Sequence, residues 1–171
     1  MKRKILVINK MRVSNKELEV GGISFGLTSG VITTLGMIVG INAATESKLA
    51  VVASIFAIAI ADSLSDALGI HLSEESRLDE SDKPIWIISV YTFFAKFLVT
   101  LLFVLPFLIF NNNFAVVFSV IFGLLLVLLL SIFVARRSKK SIFQSVFEHV
   151  GLAIVVIIAS HYVGGLAERI V

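Results

Sequence analysis

Length, composition and charge exclude most classes of soluble protein for this chain. Its 171 residues are 57% hydrophobic and their mean hydropathy is +0.99, whereas ordinary soluble domains are ~45–50% apolar. The formal net charge is only +3, and the absence of cysteine excludes disulfides, thiolate metal sites and cysteine nucleophiles. The composition therefore indicates an integral membrane protein.

Five long apolar stretches account for most of the chain. A membrane-spanning helix needs ~20 mostly apolar residues, and the stretches that reach this length are residues 22–44, 49–72, 84–110, 114–135 and 143–167. Runs such as VFSVIFGLLLVLLLSIFVA do not alternate polar and apolar residues as the strands of a membrane β-barrel do. The sequence thus predicts an all-α fold, a polytopic bundle of five transmembrane helices over residues 21–171.

Residues 1–20 form a charged N-terminal tail with one short apolar patch at residues 5–8. The tail lacks the continuous apolar region and the small-residue cleavage site of a secretory signal, so we expect no cleavable signal peptide. The apolar patch predicts a short helix that lies on the membrane surface.

Basic residues outside the predicted spans lie almost entirely on one side of the bundle. Twelve fall in the tail and in the second and fourth connections, whereas two fall on the opposite side, Lys48 and Arg169. Because Lys and Arg accumulate in cytoplasmic segments, the N-terminus is predicted to be cytoplasmic and the C-terminus to lie on the opposite side. No basic patch is interleaved with aromatic residues, so nucleic acid is not an expected partner.

The first span is rich in glycine and in hydroxyl side chains. Its glycines recur every four residues in two groups, a spacing that favours close packing of helix backbones: Gly22, Gly26 and Gly30, then Gly36 and Gly40. Three hydroxyl residues lie beside them, Ser29, Thr33 and Thr34. These side chains either line a polar path or hydrogen-bond the backbone of their own helix.

Two aspartates within the second span are the strongest functional signal. Asp62 and Asp66 lie four residues apart, which places both on one helix face, about 6 Å from each other. A carboxylate in the hydrocarbon region costs at least ~2.5 kcal/mol. Such a pair either shares a proton or holds a cation, and the sequence therefore predicts an ion or proton pathway.

The third span contains another unusual charge, Lys96. An ammonium group at this depth needs a partner, and the expected partner is Asp62 or Asp66, either in a structural pair or as part of the pathway. Pro106 predicts a kink near the end of this span.

A short acidic segment follows the second span. It contains Glu74, Glu75, Asp79, Glu80 and Asp82. One interpretation is a solvated loop. The other is a cation-collecting mouth next to the membrane carboxylates, because a cluster of one charge sign raises the local concentration of counter-ions.

Enzymatic motifs are missing from the sequence. It has no phosphate-binding loop, no dinucleotide-binding motif and no zinc-protease motif. Intramembrane aspartyl proteolysis requires two acids on facing helices, whereas both aspartates here lie on one helix. The sequence therefore predicts that the protein is not an enzyme.

Three blocks of the sequence resemble the vacuolar iron transporter family of divalent-metal transporters. GLTSGVITTLGMIVG (26–40) is similar to the first-helix motif of the family, a D-G-[IL]-[VI]-T-T run, and EHVGLAIVVIIASHYVGGL (148–166) is similar to its last helix. The most specific block is IADSLSDALGIHLSEES (60–76), which is similar to the family pattern A-D-x-x-S-M-x-x-G-E-Y-L-S. The matching positions are Gly30, Thr33, Thr34, Asp62, Ser65, Gly69, Leu72 and Ser73.

The resemblance implies a homodimer in a lipid bilayer, whose first helices line a central path. It also implies transport of Fe²⁺ or Mn²⁺ out of the cytoplasm in exchange for protons, with the metal as cargo and no permanently bound cofactor. We therefore expect Asp62 and Asp66 to bind the metal, and we expect the transport path to contain Ser29, Thr33, Thr34, Ser65 and Lys96.

The chain departs from the family pattern at several positions. Ser29 stands in place of an aspartate, Asp66 in place of a methionine and Ile70 in place of a glutamate, and the long cytoplasmic helices after the second span are missing. The loss of the first-helix carboxylate and the gain of Asp66 would move the site by one helix and conserve the number of ligands. An oxygen-only site favours manganese, magnesium or calcium over softer ions.

Two other functions remain open from the residues alone. In one, the protein does not transport, and Asp62, Asp66 and Lys96 form a structural network that fixes the register of the helices. In the other, it transports a different solute, and Lys96 binds an anionic group on that solute.

Overall fold

A computed structural model describes residues 15–77 and 85–170, and within these residues the fold consists of helices without strands. The predicted all-α fold is confirmed. Five of the helical segments are long and apolar enough to cross a membrane, so the chain is an integral, multi-pass membrane protein. The helices are α1 Asn15–Thr45, α2 Lys48–Arg77, α3 Ile85–Leu102, α4 Val104–Ile109, α5 Asn112–Ser138 and α6 Ile142–Ile170.

The helices extend beyond the apolar stretches on which their prediction rests. α1 begins at Asn15, within the predicted tail, and the predicted surface helix falls on residues 1–14, outside the described residues. α2 continues to Arg77, so Glu74 and Glu75 belong to a helix and not to a loop. Asp79, Glu80 and Asp82 lie outside the described residues.

The third span breaks where Pro106 requires it. Proline has no N–H and its ring crowds the carbonyl four residues earlier, which here is Leu102, the last residue of α3. The Phe103 N–H donates instead to the Thr100 carbonyl at 3.1 Å, and the chain resumes as the short helix α4. The predicted kink is therefore a short interruption between two helices that together form one span, Ile85–Ile109.

The bundle has a proximal end and a distal end. The proximal end holds the beginnings of α1, α3 and α6 and the ends of α2 and α5, and the distal end holds their opposite ends. At the distal end Lys48 donates to the Phe110 carbonyl at 2.9 Å, and Asn112 donates to Asn42 at 2.7 Å. The first contact joins α2 to the end of α4, and the second joins α5 to α1.

α1 is the central helix of the bundle, and its glycines account for this position. A Cβ atom on Gly26 would lie 2.5 Å from the Thr92 carbonyl oxygen of α3, and one on Gly36 would lie 2.7 Å from a Val156 methyl of α6. Only glycine permits such close approach of neighbouring helices. The packing interpretation of the glycine stripes is confirmed, and the close contact with α3 brings Lys96 next to α1.

α5 also packs through small side chains, although its apolar sequence gave little indication of this. Its buried positions recur every four residues and face the rest of the bundle: Ala115, Ser119, Gly123, Val127, Ser131 and Ala135. Among its large apolar residues, Phe118, Ile121 and Leu125 are exposed, whereas Phe122 and Leu124 pack partly buried against the core. The fully buried positions of α5 are therefore mostly small, and its exposed positions are bulky.

Gly26→Ala should destabilise the protein, because the added methyl group forces α1 away from the α3 backbone. Overpacking of this kind costs ~1–3 kcal/mol. The measurement is the midpoint of denaturant-induced unfolding in detergent, followed by circular dichroism.

Gly151→Ala on α6 is the matched control, since nothing lies within 4 Å of the added Cβ. Removing an unconstrained helical glycine should leave stability unchanged or raise it by ~0.5–1 kcal/mol. Equal shifts for the two variants would contradict the assigned role of Gly26.

Candidate ion-binding site

Charged and hydroxyl side chains from three helices meet near the middle of the bundle. Asp62 lies near the centre of α2, about 21 Å from either end at ~1.5 Å per residue. Ser29 and Thr33 lie near the centre of α1, and Lys96 lies near the centre of the span formed by α3 and α4. The cluster is therefore at mid-membrane depth.

Lys96 lies between the two aspartates. Its Nζ atom is 2.6 Å from Asp62 Oδ2 and 2.5 Å from Asp66 Oδ2, and it donates to Ser29 Oγ at 3.0 Å. An ammonium group has three protons to donate, and these contacts use all three. The predicted ion pair is confirmed, and it involves both aspartates.

The hydroxyl groups of α1 complete the cluster. Ser29 Oγ donates to Asp66 Oδ2 at 2.7 Å, and Thr33 Oγ1 lies 3.0 Å from Asp62 Oδ2 as well as 3.0 Å from the Ser29 carbonyl oxygen. Because Thr33 has one hydroxyl proton, it donates either to the carboxylate or to its own helix. Each aspartate thus has one hydroxyl neighbour from α1 and one shared ammonium neighbour from α3.

The site is closed on the lysine side and open on the carboxylate side. The Lys96 side chain is 1% exposed, whereas those of Asp62 and Asp66 are 30% and 22% exposed. All the contacts described above are made by the Oδ2 atoms. The carboxylates therefore offer further exposed oxygen surface, which an ion, water or a second protein chain could approach.

The net charge of the cluster limits what it can bind. With all three groups ionised, two carboxylates and one ammonium have a net charge of −1. A net charge is unfavourable in a medium of low dielectric constant. One more positive charge, supplied by a proton or a cation, would make the cluster neutral.

Two of the predicted path residues and one residue of the predicted cation-collecting segment lie away from the cluster or at its edge. Thr34 is buried and donates to Thr100 Oγ1 at 3.2 Å, so it joins α1 to α3. Ser65 is on the exposed side of α2. Glu75 is exposed near the end of α2, about 13 Å along the helix from Asp66 at ~1.5 Å per residue.

Further metal ligands are not clustered in residues 15–77 and 85–170, where no group of three or more His, Asp or Glu side chains could hold a metal ion. A divalent cation at this site would take its protein ligands from Asp62, Asp66 and the hydroxyls of Ser29 and Thr33. These ligands are all oxygen atoms, which suit Mn²⁺, Mg²⁺ and Ca²⁺. Its entry would require the Lys96 ammonium to move or to lose its proton.

Two histidine contacts were not anticipated from the sequence. His71 Nδ1 lies 3.1 Å from Ser89 Oγ, and His149 Nδ1 lies 3.1 Å from Ser131 Oγ. Each serine also donates to a carbonyl of its own helix, at 3.3 Å and 2.6 Å, so each imidazole is assigned as the donor to its serine. These pairs join α2 to α3 and α5 to α6 near the proximal end.

One face of α2 carries small residues next to the two aspartates, which was not predicted from the sequence. Small, exposed residues recur every four positions beside the two aspartates: Ala61, Ser65 and Gly69. We call this set the α2 small-residue face. It passes directly beside Asp62 and Asp66 on the same helix.

Comparison with known proteins adds no relative. No protein-family model, no curated protein and no solved structure matches the chain. The similarity to the vacuolar iron transporters therefore rests on the quoted residues alone. The fold and the site define a multi-pass membrane protein with an ionic cluster at its centre.

Proposed function

We propose that the protein is a cation transporter that exchanges a divalent cation, Mn²⁺ or Fe²⁺, for protons and moves it out of the cytoplasm. The observation that carries the proposal is the position of the Lys96 ammonium, within 2.6 Å of two partly exposed carboxylates. This ammonium occupies the place that a bound metal ion would take. The direction of transport is the one that the family resemblance implies.

The charge of the cluster suggests how exchange is coupled. A divalent cation between two carboxylates gives a neutral site, provided that the Lys96 charge leaves it. The charge leaves if the ammonium swings away or gives its proton to water. In the absence of metal, Lys96 and one additional proton restore the same neutral state. Metal and protons therefore compete for one set of oxygen atoms.

Between the two candidate metals, the ligand chemistry favours manganese. Asp62, Asp66, Ser29 and Thr33 offer only oxygen ligands, and the methionine of the family pattern is replaced by Asp66. Fe²⁺ is retained as a candidate because of the family resemblance. Transport of an anionic solute by Lys96 has less support, because its three donor positions are taken by groups of the same chain.

We infer that the transporter is a homodimer in which the α2 small-residue face of each copy packs against the other copy. Partly exposed carboxylates at mid-membrane depth would otherwise contact lipid, which is unfavourable. Small residues at intervals of four allow two helices to approach closely. A second copy on this face would shield both ionic clusters from lipid and enclose a polar path between them.

A structural role for the cluster is the second candidate. It is favoured by the complete set of partners around Lys96, since a fully satisfied ion network stabilises a bundle without any transported ion. In this structural role, Asp62 and Asp66 fix the position of α2 against α1 and α3.

Asp62→Asn should reduce Mn²⁺-driven proton movement to the level of protein-free liposomes, because the metal loses one of its two carboxylate ligands. The measurement uses reconstituted protein, an internal pH-sensitive dye and an imposed Mn²⁺ gradient. Glu168→Gln is the matched control: it also removes one carboxylate, but from the exposed distal part of α6, and it should transport at the wild-type rate.

Breaking a buried ion pair can cost ~3–5 kcal/mol, so the variant must first be shown to be folded by size-exclusion chromatography. If folded Asp62→Asn transports Mn²⁺ normally and only unfolds at a lower temperature, the structural candidate is correct and the transport proposal is wrong.

Single cysteines on the α2 small-residue face should cross-link two copies under mild oxidation. The chain has no cysteine of its own, so each variant reports one position: Ala61→Cys, Ser65→Cys and Gly69→Cys. A disulfide requires Cα atoms within ~7 Å, so at least one of the three should form a dimer on a non-reducing gel. Leu125→Cys, exposed on α5, is the control and should remain monomeric. Cross-linking at Leu125 alone would contradict the proposed interface.

A further inference from the structure

A compact group of basic side chains lies where α5 ends and α6 begins. Arg136 and Arg137 are in the last turn of α5, and Lys139 and Lys140 form the turn that follows; all four residues are exposed. The turn is tight because Lys139 adopts a left-handed conformation with φ of 53° and the Lys140 N–H donates to the Ala135 carbonyl at 3.1 Å. Four positive charges are therefore held close together at the proximal end.

These four side chains make no hydrogen bond or ion pair with the described part of the chain. In this they differ from Lys48, which donates to the Phe110 carbonyl, and from Lys96 in the central cluster. The acidic residue nearest in sequence, Glu148, accepts a hydrogen bond from Gln144 at 2.8 Å. The carbonyl end of α5 favours cations nearby, but it does not supply a counter-ion for each of them.

Exposed aromatic residues lie directly beside the basic group. Phe143 and Phe147 are one helical turn apart at the start of α6, and they are 83% and 73% exposed. At a membrane surface, apolar side chains of this kind insert among acyl chains while cationic side chains lie at the level of the headgroups. The two features together match an amphipathic partner with an anionic end and an apolar end.

We propose that this surface, formed by Arg136, Arg137, Lys139, Lys140, Phe143 and Phe147, binds an anionic phospholipid. The phosphate lies among the four cations, and an acyl chain lies along the two phenylalanines. Arginine is well suited to this role because its planar guanidinium contacts two phosphate oxygens at once. The N–H groups at the start of α6 face the same turn and also favour an anion. This surface is separate from the central cluster, and lipid binding to it does not depend on transport.

A lipid fits this surface better than a free anion or a nucleic acid. A free anion would gain nothing from the exposed phenylalanines. Proteins that bind single-stranded nucleic acid use aromatic platforms along a basic groove, whereas Phe143 and Phe147 lie at the start of a helix long and apolar enough to cross a membrane. Clusters of Lys and Arg next to a transmembrane helix are typical of binding to anionic lipids.

Native mass spectrometry of the full-length protein, titrated with phosphatidylglycerol or phosphatidylcholine in detergent, tests the proposal. The wild-type protein should bind phosphatidylglycerol more tightly than phosphatidylcholine. Each Lys→Gln or Arg→Gln change should weaken phosphatidylglycerol binding roughly fivefold, which corresponds to ~1 kcal/mol per charge near a membrane surface. Measurement in detergent avoids any effect of these charges on the orientation of insertion.

Arg169→Gln is the matched control, because it removes one exposed cation at the distal end; it should leave lipid binding unchanged. The double variant Phe143→Ala, Phe147→Ala keeps all four positive charges. It should weaken the binding of phosphatidylglycerol and leave any binding of inorganic phosphate unchanged. If single changes at Arg136 or Arg137 disturb the end of α5, Lys139→Gln with Lys140→Gln, confined to the exposed turn, tests two of the four charges.

Three results would overturn the proposal. They are equal affinity of the wild-type protein for the two lipids, an equal effect of Arg169→Gln and Lys140→Gln, and displacement of the lipid by inorganic phosphate at the same concentration. The last result would identify a simple anion site in place of a lipid site.

Discussion

The Lys96 ammonium lies between two carboxylates near the middle of a membrane-spanning bundle, and much of the surrounding structure follows from the cost of placing these charges in hydrocarbon. Lys96 reaches Asp62 and Asp66 where α3 packs on α2, and it reaches Ser29 because α3 also packs closely on α1. The α1–α3 contact depends on glycines such as Gly26 and Gly30. Ser29 and Thr33 then supply the remaining hydrogen bonds. Helix packing and charge compensation are therefore two parts of one requirement.

The same contacts that stabilise the bundle are the contacts that an ion would have to replace. A buried ion pair adds little net stability relative to well-packed apolar residues, so stability alone is a weak reason for three charged groups at this depth. The cluster has one more negative charge than positive charge, and its carboxylates are partly exposed. This imbalance links the structure to proton or cation binding and gives the proposed dimer contact its physical reason.

Hydropathy predicted the five spans, Pro106 predicted the kink, and the cost of buried charge predicted the pairing of Lys96 with the aspartates. None of these signals predicted which hydroxyls join the cluster, because that depends on rotation about the helix axis. Thr33 and Thr34 are adjacent in sequence but ~100° apart around α1 at ~3.6 residues per turn; Thr33 meets Asp62 and Thr34 meets Thr100. Similarly, Ser65 lies between two site residues in sequence but faces outward. The contact of His71 with Ser89 also depends on tertiary packing, and neither residue has a buried charge that would have indicated its partner.

The central claim is that the Lys96 ammonium occupies the position of a bound cation, and Mn²⁺ titration calorimetry on purified Lys96→Gln tests it most directly. Removal of a charged hydrogen-bonding competitor worth ~1.5–3 kcal/mol should tighten Mn²⁺ binding roughly tenfold or more. Lys96→Arg, which keeps the charge, and Lys48→Gln, which removes a cation at the distal end, should not tighten it. Unchanged or weaker Mn²⁺ binding by folded Lys96→Gln would contradict the claim.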